Sequence, residues 1–285
     1  MNMKLVSAII TTHNREKLLL RAIDSVFNQT YKNIECIVVD DSSTDNTKDI
    51  CSKYPIYYIY IPKAESHGGN YARNLGIKAA QGDYCAFLDD DDYWLPEKIE
   101  KQLRLIESKD CELVYCGSRQ EFVLQNDIKY RNLLPDRFLC GDLHKKILQY
   151  ICTTTTNIMV KKNALLEVGL FDEELRFWQE YELTIRLAQR KPFYFVNEPL
   201  SVYRIDRRDV NRLTNKYWGW RKAVEYIHEK HTALYKELNI VEQWNAQGVI
   251  WVDASIRCKL SGLYYRAVFY YIMSIPYRIL KRIKK

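Results

Sequence analysis

Short apolar runs and amphipathic segments alternate through the first ninety residues of the chain. Residues 5–10, 34–39, 56–61 and 84–88 are compact apolar runs of the length typical of buried strands. Between the first two runs, apolar residues recur at helical spacing over residues 18–27. Because strands joined by a helix pair in parallel, the pattern predicts an α/β fold with a mostly parallel sheet flanked by helices.

Local signals predict several element boundaries. Asn14 is a favourable N-cap for the first helix, and Pro96 is placed to begin a later one. A helix over about 70–80 is closed by Gly82. Further along, we predict a strand over 113–118, a hairpin over 121–130 and a strand over 153–160.

Polar residues follow three of the predicted strands. His13 follows the first, Asp41 ends the second, and four consecutive aspartates, Asp89, Asp90, Asp91 and Asp92, end the strand at 84–88. Parallel strands place ligands beyond their carboxyl ends, so these side chains should line one edge of one sheet. The sequence therefore predicts a site at that edge.

The four adjacent carboxylates repel one another unless water or a cation separates them. Hard divalent metals such as Mg²⁺ or Mn²⁺ are bound by carboxylate oxygens, often together with phosphate. The alternative is a solvated turn before the helix at Pro96. The chain has neither a Gly-x-Gly-x-x-Gly after its first strand nor a P-loop, so a bound nucleotide would be held chiefly through a metal.

At this point the sequence resembles family 2 glycosyltransferases. The resemblance lies in VSAIITTHNR at 6–15, NQTYKNIECIVVDDSSTDNT at 28–47, ARNLG at 72–76, FLDDDD at 87–92, and VGLFDE at 168–173 with RLA at 186–188. These motifs occur in the family's order and cover about the first two hundred residues. The resemblance implies a GT-A (Rossmann-like) fold, a nucleotide-sugar donor and inversion at the anomeric carbon.

Carried over residue by residue, the resemblance also implies roles on the donor side. Thr11, His13 and Asp41 would meet the nucleobase, and Arg73 would help to hold that pocket. His13 departs from the family, because many relatives have a Tyr there.

In the family's Asp-x-Asp motif the last carboxylate binds the metal, Mn²⁺ or Mg²⁺, and this position falls on Asp91. Asp89 or Asp90 would meet the ribose or a water on the metal, whereas Asp92 has no assigned role.

Transfer to a hydroxyl needs a carboxylate that accepts the hydroxyl proton. The segment 177–186 resembles the family's acidic motif, which implies that Glu180 is the base, although relatives commonly have Asp there. Glu182 is the second choice. The structural alternative is that both are first-turn acids that favour the helix dipole.

Composition and charge divide the chain. With 285 residues and 47% apolar composition it can bury a substantial core, and we predict a catalytic domain over 1–205. Its donor-binding half covers about 1–118 and its acceptor-binding half about 119–205. Eight scattered cysteines indicate reduced thiols, and the first strand begins too early for a signal peptide, so we expect a cytoplasmic enzyme.

Residues 206–285 form a predicted helical extension that is basic and aromatic. Residues 257–285 carry eight basic residues and no acid, whereas the rest of the chain is close to neutral. The apolar stretch in this segment is too short to span a bilayer. Basic residues interleaved with aromatic ones are typical of segments that lie on an anionic membrane surface. The alternative is a helical layer that packs its aromatics on the catalytic domain.

The function that these observations favour is a metal-dependent, inverting hexosyltransferase. It would move a sugar from a UDP-sugar, the expected nucleotide-sugar donor, to a lipid-linked glycan acceptor. This reaction would belong to bacterial surface polysaccharide synthesis at the inner face of the cell membrane. The alternative is a metal-dependent nucleotidyltransferase or nucleotide-binding protein. A nucleic-acid partner is not expected, because the positive charge is confined to the tail.

Overall fold

The computed structural model describes residues 3–125, 127–206, 208 and 213–283. The elements of the first part are β1 (Val6–Thr12), α1 (Glu16–Phe27), β2 (Ile34–Asp41), α2 (Thr47–Cys51), β3 (Ile56–Ile61), α3 (Gly69–Ala79), β4 (Tyr84–Asp89), β5 (Tyr93–Trp94) and α4 (Lys98–Ser108). They confirm the predicted strand and helix order.

The second part begins with a long strand and ends in helices. Its elements are β6 (Leu113–Val123), β7 (Ile128–Leu133), β8 (Ile158–Lys161), α5 (Lys162–Glu167), α6 (Gln179–Ala188), β9 (Phe193–Asp206), α7 (Tyr217–Lys230), α8 (Thr232–Lys236), α9 (Ile240–Leu260) and α10 (Tyr264–Ile283). The predicted hairpin is confirmed as β6 and β7, although Asn126 at its tip lies outside the described residues.

Within the described ranges the strands form one sheet in the order β3-β2-β1-β4-β8-β6-β9-β5, with β7 paired to β6. The strands β3, β2, β1 and β4 are parallel, as the helical crossovers predict. The second half is mixed, since β8 is antiparallel to both of its neighbours and β9 is parallel to β6. The carboxyl ends of β1, β2 and β4 therefore meet at one edge.

Both faces of the sheet are buried by helices because successive strand residues point to opposite sides. In β1, Ala8 and Ile10 pack with α1 and α4, whereas Ile9 packs with α3, α6 and the C-terminal helices. The hydrophobic cluster that contains Ile9 also contains Tyr277 of α10. The C-terminal helices over 217–283 thus share a hydrophobic core with the sheet.

Two predicted boundaries are wrong. Asn14 does not cap α1, because Arg15 occupies the N-cap and Asn14 has a left-handed backbone with φ 52°. Its side-chain oxygen instead accepts a hydrogen bond of 2.7 Å from the Thr44 N–H. Asn tolerates this conformation better than most residues, so it serves a loop contact here. The helix predicted to begin at Pro96 begins at Lys98.

The strand predicted over 153–160 is also partly wrong. Residues Thr155–Asn157 form a short 3₁₀ helix, and only Ile158–Lys161 is strand. The β-branched side chains favoured a strand, but Thr155 and Thr156 use their hydroxyls to contact Glu180 and Asp92 instead. Side-chain hydrogen bonding of this kind competes with strand pairing.

The last two helices pack closely at a glycine. A Cβ atom at Gly248 of α9 would lie 2.5 Å from Cγ of Tyr277 in α10. Tyr277 also donates a hydrogen bond to the Gln149 carbonyl at 3.3 Å. No helix within the described residues is long and apolar enough to cross a membrane.

We predict that Gly248→Ala destabilises the protein. Replacing a helical Gly by Ala normally gains about 1 kcal/mol, but overpacking against Tyr277 costs about 1–3 kcal/mol, so the clash should win. Thermal unfolding measures the change. Gln247→Ala, at the adjacent exposed position, is the control and should leave the melting temperature within a degree or two. An increase for Gly248→Ala would show that α9 and α10 are not packed this way.

Candidate active site

A cleft of about 470 Å³ opens at the edge where β1, β2 and β4 end. The strand register places Thr11 beside Asp89, and Asp41 ends the neighbouring strand. The cleft is lined by Thr11, Thr12, His13, Arg15, Asp41, Gly69, Ala72, Arg73, Asp89, Asp90, Asp91, Gln179, Tyr203, Leu213 and Thr214. It brings together all the predicted donor-side residues.

The four consecutive aspartates point in different directions. Asp92 is fully buried and accepts hydrogen bonds from the Thr156 hydroxyl at 2.7 Å and the Arg204 N–H at 2.9 Å. Burial raises the pKa of its carboxyl, and the charges of Asp91 and Asp89 add to this effect. Asp92 is thus turned away from the cleft and holds β9 and the 3₁₀ helix to the end of β4.

Asp90 and Asp91 share one cation. Arg15 Nη1 lies 2.9 Å from Asp90 Oδ1 and 3.1 Å from Asp91 Oδ2. Asp90 is buried, and burial raises its pKa to about 6 against the charge of Arg15. The Asp91 side chain retains 22% exposure, so it remains accessible from the cleft.

Asp89 is held by a different cation. Arg73 Nη2 donates to Asp89 Oδ1 at 2.6 Å, and its Nη1 donates to the side chain of Asn70 at 3.1 Å. Arg73 is buried, with its guanidinium over the ring of Phe171. A buried, doubly hydrogen-bonded Arg is fixed in position, so it orients Asp89 at the floor of the cleft.

The other side of the cleft carries His13 and Asp41. The His13 ring lies near Asp41, with Nδ1 2.5 Å from the Asp41 carbonyl oxygen. Asp41 Oδ1 is buried and has no hydrogen-bond partner among the described residues. A buried acceptor without a donor is costly, which indicates that a ligand N–H or water completes it.

The carboxylates fit a divalent metal of the Mg²⁺ or Mn²⁺ type. Within the described ranges no three His, Cys, Asp or Glu side chains form a ready ligand group. These ions need only one or two protein carboxylates when substrate phosphates supply the other oxygens. Asp91, with an accessible oxygen on the cleft, meets that requirement, and Asp89 lies beside it.

Glu180 lies in the first turn of α6, next to the cleft-lining Gln179. Its carboxylate is 3.5 Å from the Thr155 hydroxyl. Burial raises the pKa of Glu180 and the charge of Asp89 adds to the shift, whereas Arg73 and Arg257 oppose it. A carboxylate with a raised pKa beside a cleft is suited to accept a proton near neutral pH.

Glu182 is placed very differently. Its side chain has no exposure and lies 2.6 Å from Arg186, 2.8 Å from Lys230 and 3.1 Å from His231. Burial alone would raise its pKa, but hydrogen bonds from His231 and Arg186 and the nearby positive charges lower it to about 2. Glu182 therefore ties α6 to α7 and to the N-cap of α8.

Sequence reasoning missed the cleft residue Arg15 and also Arg257, whose charge acts on Glu180. Arg15, three residues beyond β1, could have been found as a cation at a strand end. Arg257 could not, because it comes from α9, where it contacts Asp253 at 2.8 Å and stacks on Trp220. At the end of β9, Arg208 pairs with Asp206 at 2.7 Å, and Arg207 lies outside the described residues.

Comparisons with known proteins agree on one family. A model described as Glycosyl transferase family 2 matches residues 7–173. An Escherichia coli protein named UDP-Glc:alpha-D-GlcNAc-diphosphoundecaprenol beta-1,3-glucosyltransferase WfaP is 44% identical over 108 residues. That match covers 38% of this chain and 43% of the relative, so it spans less than half of either.

Two solved structures show the fold. S. aureus TarS 1–349 in complex with UDP-GlcNAc matches with a TM-score of 0.58 and 18% identity, over 97% of this chain and 92% of that one. Mannosyltransferase PcManGT from Pyrobaculum calidifontis, in complex with GDP-Man and Mn²⁺, matches with a TM-score of 0.59 and 16% identity. The match covers 98% of this chain and 83% of that one. They confirm the predicted α/β architecture.

The contrast between the two glutamates of α6 generates a stability prediction. A carboxylate whose pKa is lowered to about 2 stabilises the folded state above the unfolded pKa of about 4.3, and this contribution is lost as the pH falls toward 2. Glu182→Gln should therefore cost about 3 kcal/mol at pH 7, and the difference from wild type should shrink by about half near pH 3.

Glu180→Gln is the matched control on the same helix. The raised pKa of Glu180 means that its charged form is disfavoured in the folded protein, so the variant should be as stable as wild type or more stable at pH 7. Denaturant unfolding at several pH values measures both variants. If Glu180→Gln were more destabilised than Glu182→Gln, then Glu180 and not Glu182 would be the carboxylate held by buried charged partners.

Proposed function

Because the chain belongs to glycosyl transferase family 2, we propose that it moves a sugar from a nucleotide-sugar donor to a hydroxyl of a glycan acceptor, with inversion. The observation that carries the proposal is the cleft itself. It gathers the nucleobase-side residues and the accessible Asp91 at one edge of the sheet, and the base candidate Glu180 follows the cleft-lining Gln179 in α6.

The donor in this proposal is a UDP-sugar. Thr11, His13 and Asp41 surround the nucleobase, and the unpartnered Oδ1 of Asp41 accepts from a base N–H. Arg73 keeps the pocket in place through Asp89. The name of the E. coli relative specifies UDP-Glc and the TarS complex contains UDP-GlcNAc, which favours uracil over the guanine of the mannosyltransferase complex.

The metal would be Mn²⁺ or Mg²⁺, held by Asp91, with Asp89 or Asp90 meeting the ribose or a water on the metal. When bound, such an ion neutralises charge on the donor diphosphate as it leaves. Arg15 contributes a fixed positive charge between Asp90 and Asp91 and keeps both carboxylates oriented. The Mn²⁺ in the mannosyltransferase complex supports this choice of ion.

Glu180 is the proposed base. In an inverting displacement the acceptor oxygen attacks the anomeric carbon while the bond to the donor phosphate oxygen breaks. Glu180 takes the hydroxyl proton as the new bond forms, and Thr155 holds its carboxylate through a hydroxyl contact. Glu182, the second choice, has no exposure and three charged or polar partners, which supports a structural role.

The acceptor in this proposal is a lipid-linked glycan of bacterial surface polysaccharide synthesis. The acceptor named for the E. coli relative is a sugar carried on diphosphoundecaprenol. A membrane-bound acceptor requires the enzyme to work at the inner face of the membrane, and we assign that contact to the C-terminal segment 257–285. We propose that residues 1–118 bind the donor and 119–205 the acceptor.

Family membership decides against the nucleotidyltransferase alternative. The loop after β1 is also unlike a triphosphate-binding loop, since His13 and Asn14 there contact Asp41 and Thr44. The proposed function therefore stands on the family and on the geometry of the cleft together.

Donor binding should depend on the metal and on Asp91. UDP-sugars with Mn²⁺ should raise the melting temperature, because a ligand that binds only the folded state stabilises it. Asp91→Asn should remove this stabilisation and lower transfer by about 100-fold or more. Asp49→Asn, an exposed aspartate on α2, is the control and should behave as wild type. Full transfer in excess EDTA would contradict the metal assignment.

Glu180→Gln should separate binding from chemistry. Donor binding by calorimetry should be unchanged, while transfer should fall by about 100-fold or more because the proton acceptor is gone. Glu180→Asp keeps the carboxylate and should retain measurable activity. In wild type, kcat should decline as the pH falls through the pKa of Glu180, which burial raises above the ordinary Glu value. Active Glu180→Gln with inactive, folded Glu182→Gln would reverse the two roles.

A further inference from the structure

Helix α10 presents an unpartnered apolar face. The side of the helix that packs inward uses Ala267, Ser274 and Tyr277, which are buried. The opposite side carries large apolar residues, and Tyr265 and Ile272 are 96% and 58% exposed. The exposed members of this outer face are Tyr265, Val268, Phe269, Ile272, Ile279 and Ile283. The alternative, in which the aromatics pack on the catalytic domain, describes Tyr270 and Tyr277 but not this outer face.

The outer face is a continuous stripe and not a scatter of single residues. Residues 265, 268, 269, 272, 279 and 283 recur at spacings of three, four or seven, which places them on one side of a helix. Contiguous exposed apolar surface of this kind is uncommon on proteins that act alone in water and marks an interaction site. The structure thus requires an occupant for this face.

Charge identifies the chemistry of the occupant. Residues 264–283 contain four basic residues and no acid. Three of these cations, Arg278, Lys281 and Arg282, line a cavity of about 530 Å³ together with Arg131 of β7. Lys281 pairs with Asp136 at 3.1 Å, whereas Arg278 bonds the hydroxyls of Ser274 and Ser255, which bring no negative charge. The cavity is therefore positive and suits phosphate oxygens.

The hairpin that supplies Arg131 has the same character. Ile128 and Tyr130 on β7 are 49% and 56% exposed, beside Lys129 and Arg131. Apolar and basic residues thus occur together on both elements that meet at the cavity.

We propose that α10, with the basic cavity and the β7 hairpin beside it, is a docking surface for an anionic phospholipid bilayer. The apolar stripe of α10 enters the boundary between headgroups and acyl chains, and the exposed cavity cations Arg131 and Arg282 meet lipid phosphates. A second copy of the chain is disfavoured as the occupant, because it would bring its own positively charged α10 against this one. The proposal deepens the membrane contact of the proposed function and does not depend on the transfer reaction.

Vesicle sedimentation of the full chain tests the proposal. Wild type should sediment with phosphatidylglycerol and phosphatidylcholine vesicles, remain free with phosphatidylcholine alone, and be released by salt. Phe269→Glu with Ile272→Glu should abolish sedimentation, because charges then face the acyl boundary. Arg131→Gln with Arg282→Gln should weaken partitioning by about fivefold per cation removed.

The matched controls lie at the other end of the sheet. Tyr57→Glu on β3 changes an exposed aromatic and Lys53→Gln an exposed cation, and both should sediment as wild type. Unchanged melting temperatures and unchanged transfer to a water-soluble acceptor would show that the α10 variants remain folded. Wild type that binds both kinds of vesicle equally, or neither, would overturn the proposal.

Light scattering tests whether a second copy of the chain covers the outer face of α10 instead of a bilayer. A dimer of wild type that Phe269→Glu disperses, in the absence of vesicle binding, would assign the face to a second copy and overturn the proposal. Vesicle binding without any sugar transfer would leave the docking surface standing and would contradict the proposed function alone.

Discussion

Four adjacent carboxylates at the end of β4 impose the main constraint on this structure. Their charges cannot all point into one space without a cation, so the fold separates them. Asp92 turns inward to β9, Asp90 and Asp91 share Arg15, and Asp89 pairs with Arg73. The position of β9, the 3₁₀ helix before β8 and the loop after β1 all follow from satisfying these groups. Asp89 and Asp91 keep exposed side-chain surface on the cleft.

The C-terminal helices are coupled to the same site through α6. Glu182 is buried and binds Arg186 of its own helix together with Lys230 and His231. Breaking such a buried cluster leaves uncompensated charge and is costly. The pairing therefore fixes the first turn of α6, which carries Glu180 two residues away. Helix α7 thus supports the first turn of α6, and it shares a hydrophobic core with α10.

Features that depend on the local sequence pattern could be predicted from the sequence alone. The strands and their polar ends could be predicted because the alternation of apolar runs, helices and carboxylates is visible within windows of ten residues. Only the family resemblance ranked Glu180 above Glu182, since the burial of Glu182 depends on residues about fifty positions away. The loop role of Asn14 and the 3₁₀ turn at Thr155 were missed for a similar reason, because contacts distant in sequence override local propensity there.

The central claim is that Asp91 and the donor diphosphate together hold the catalytic metal in the cleft. Anomalous diffraction from crystals soaked with Mn²⁺ and UDP tests it most directly. We predict one anomalous peak within about 2.3 Å of an Asp91 oxygen, contacting diphosphate oxygens, with uracil near Asp41. A peak at Asp92, or UDP bound in the cleft with no metal at Asp91, would contradict it.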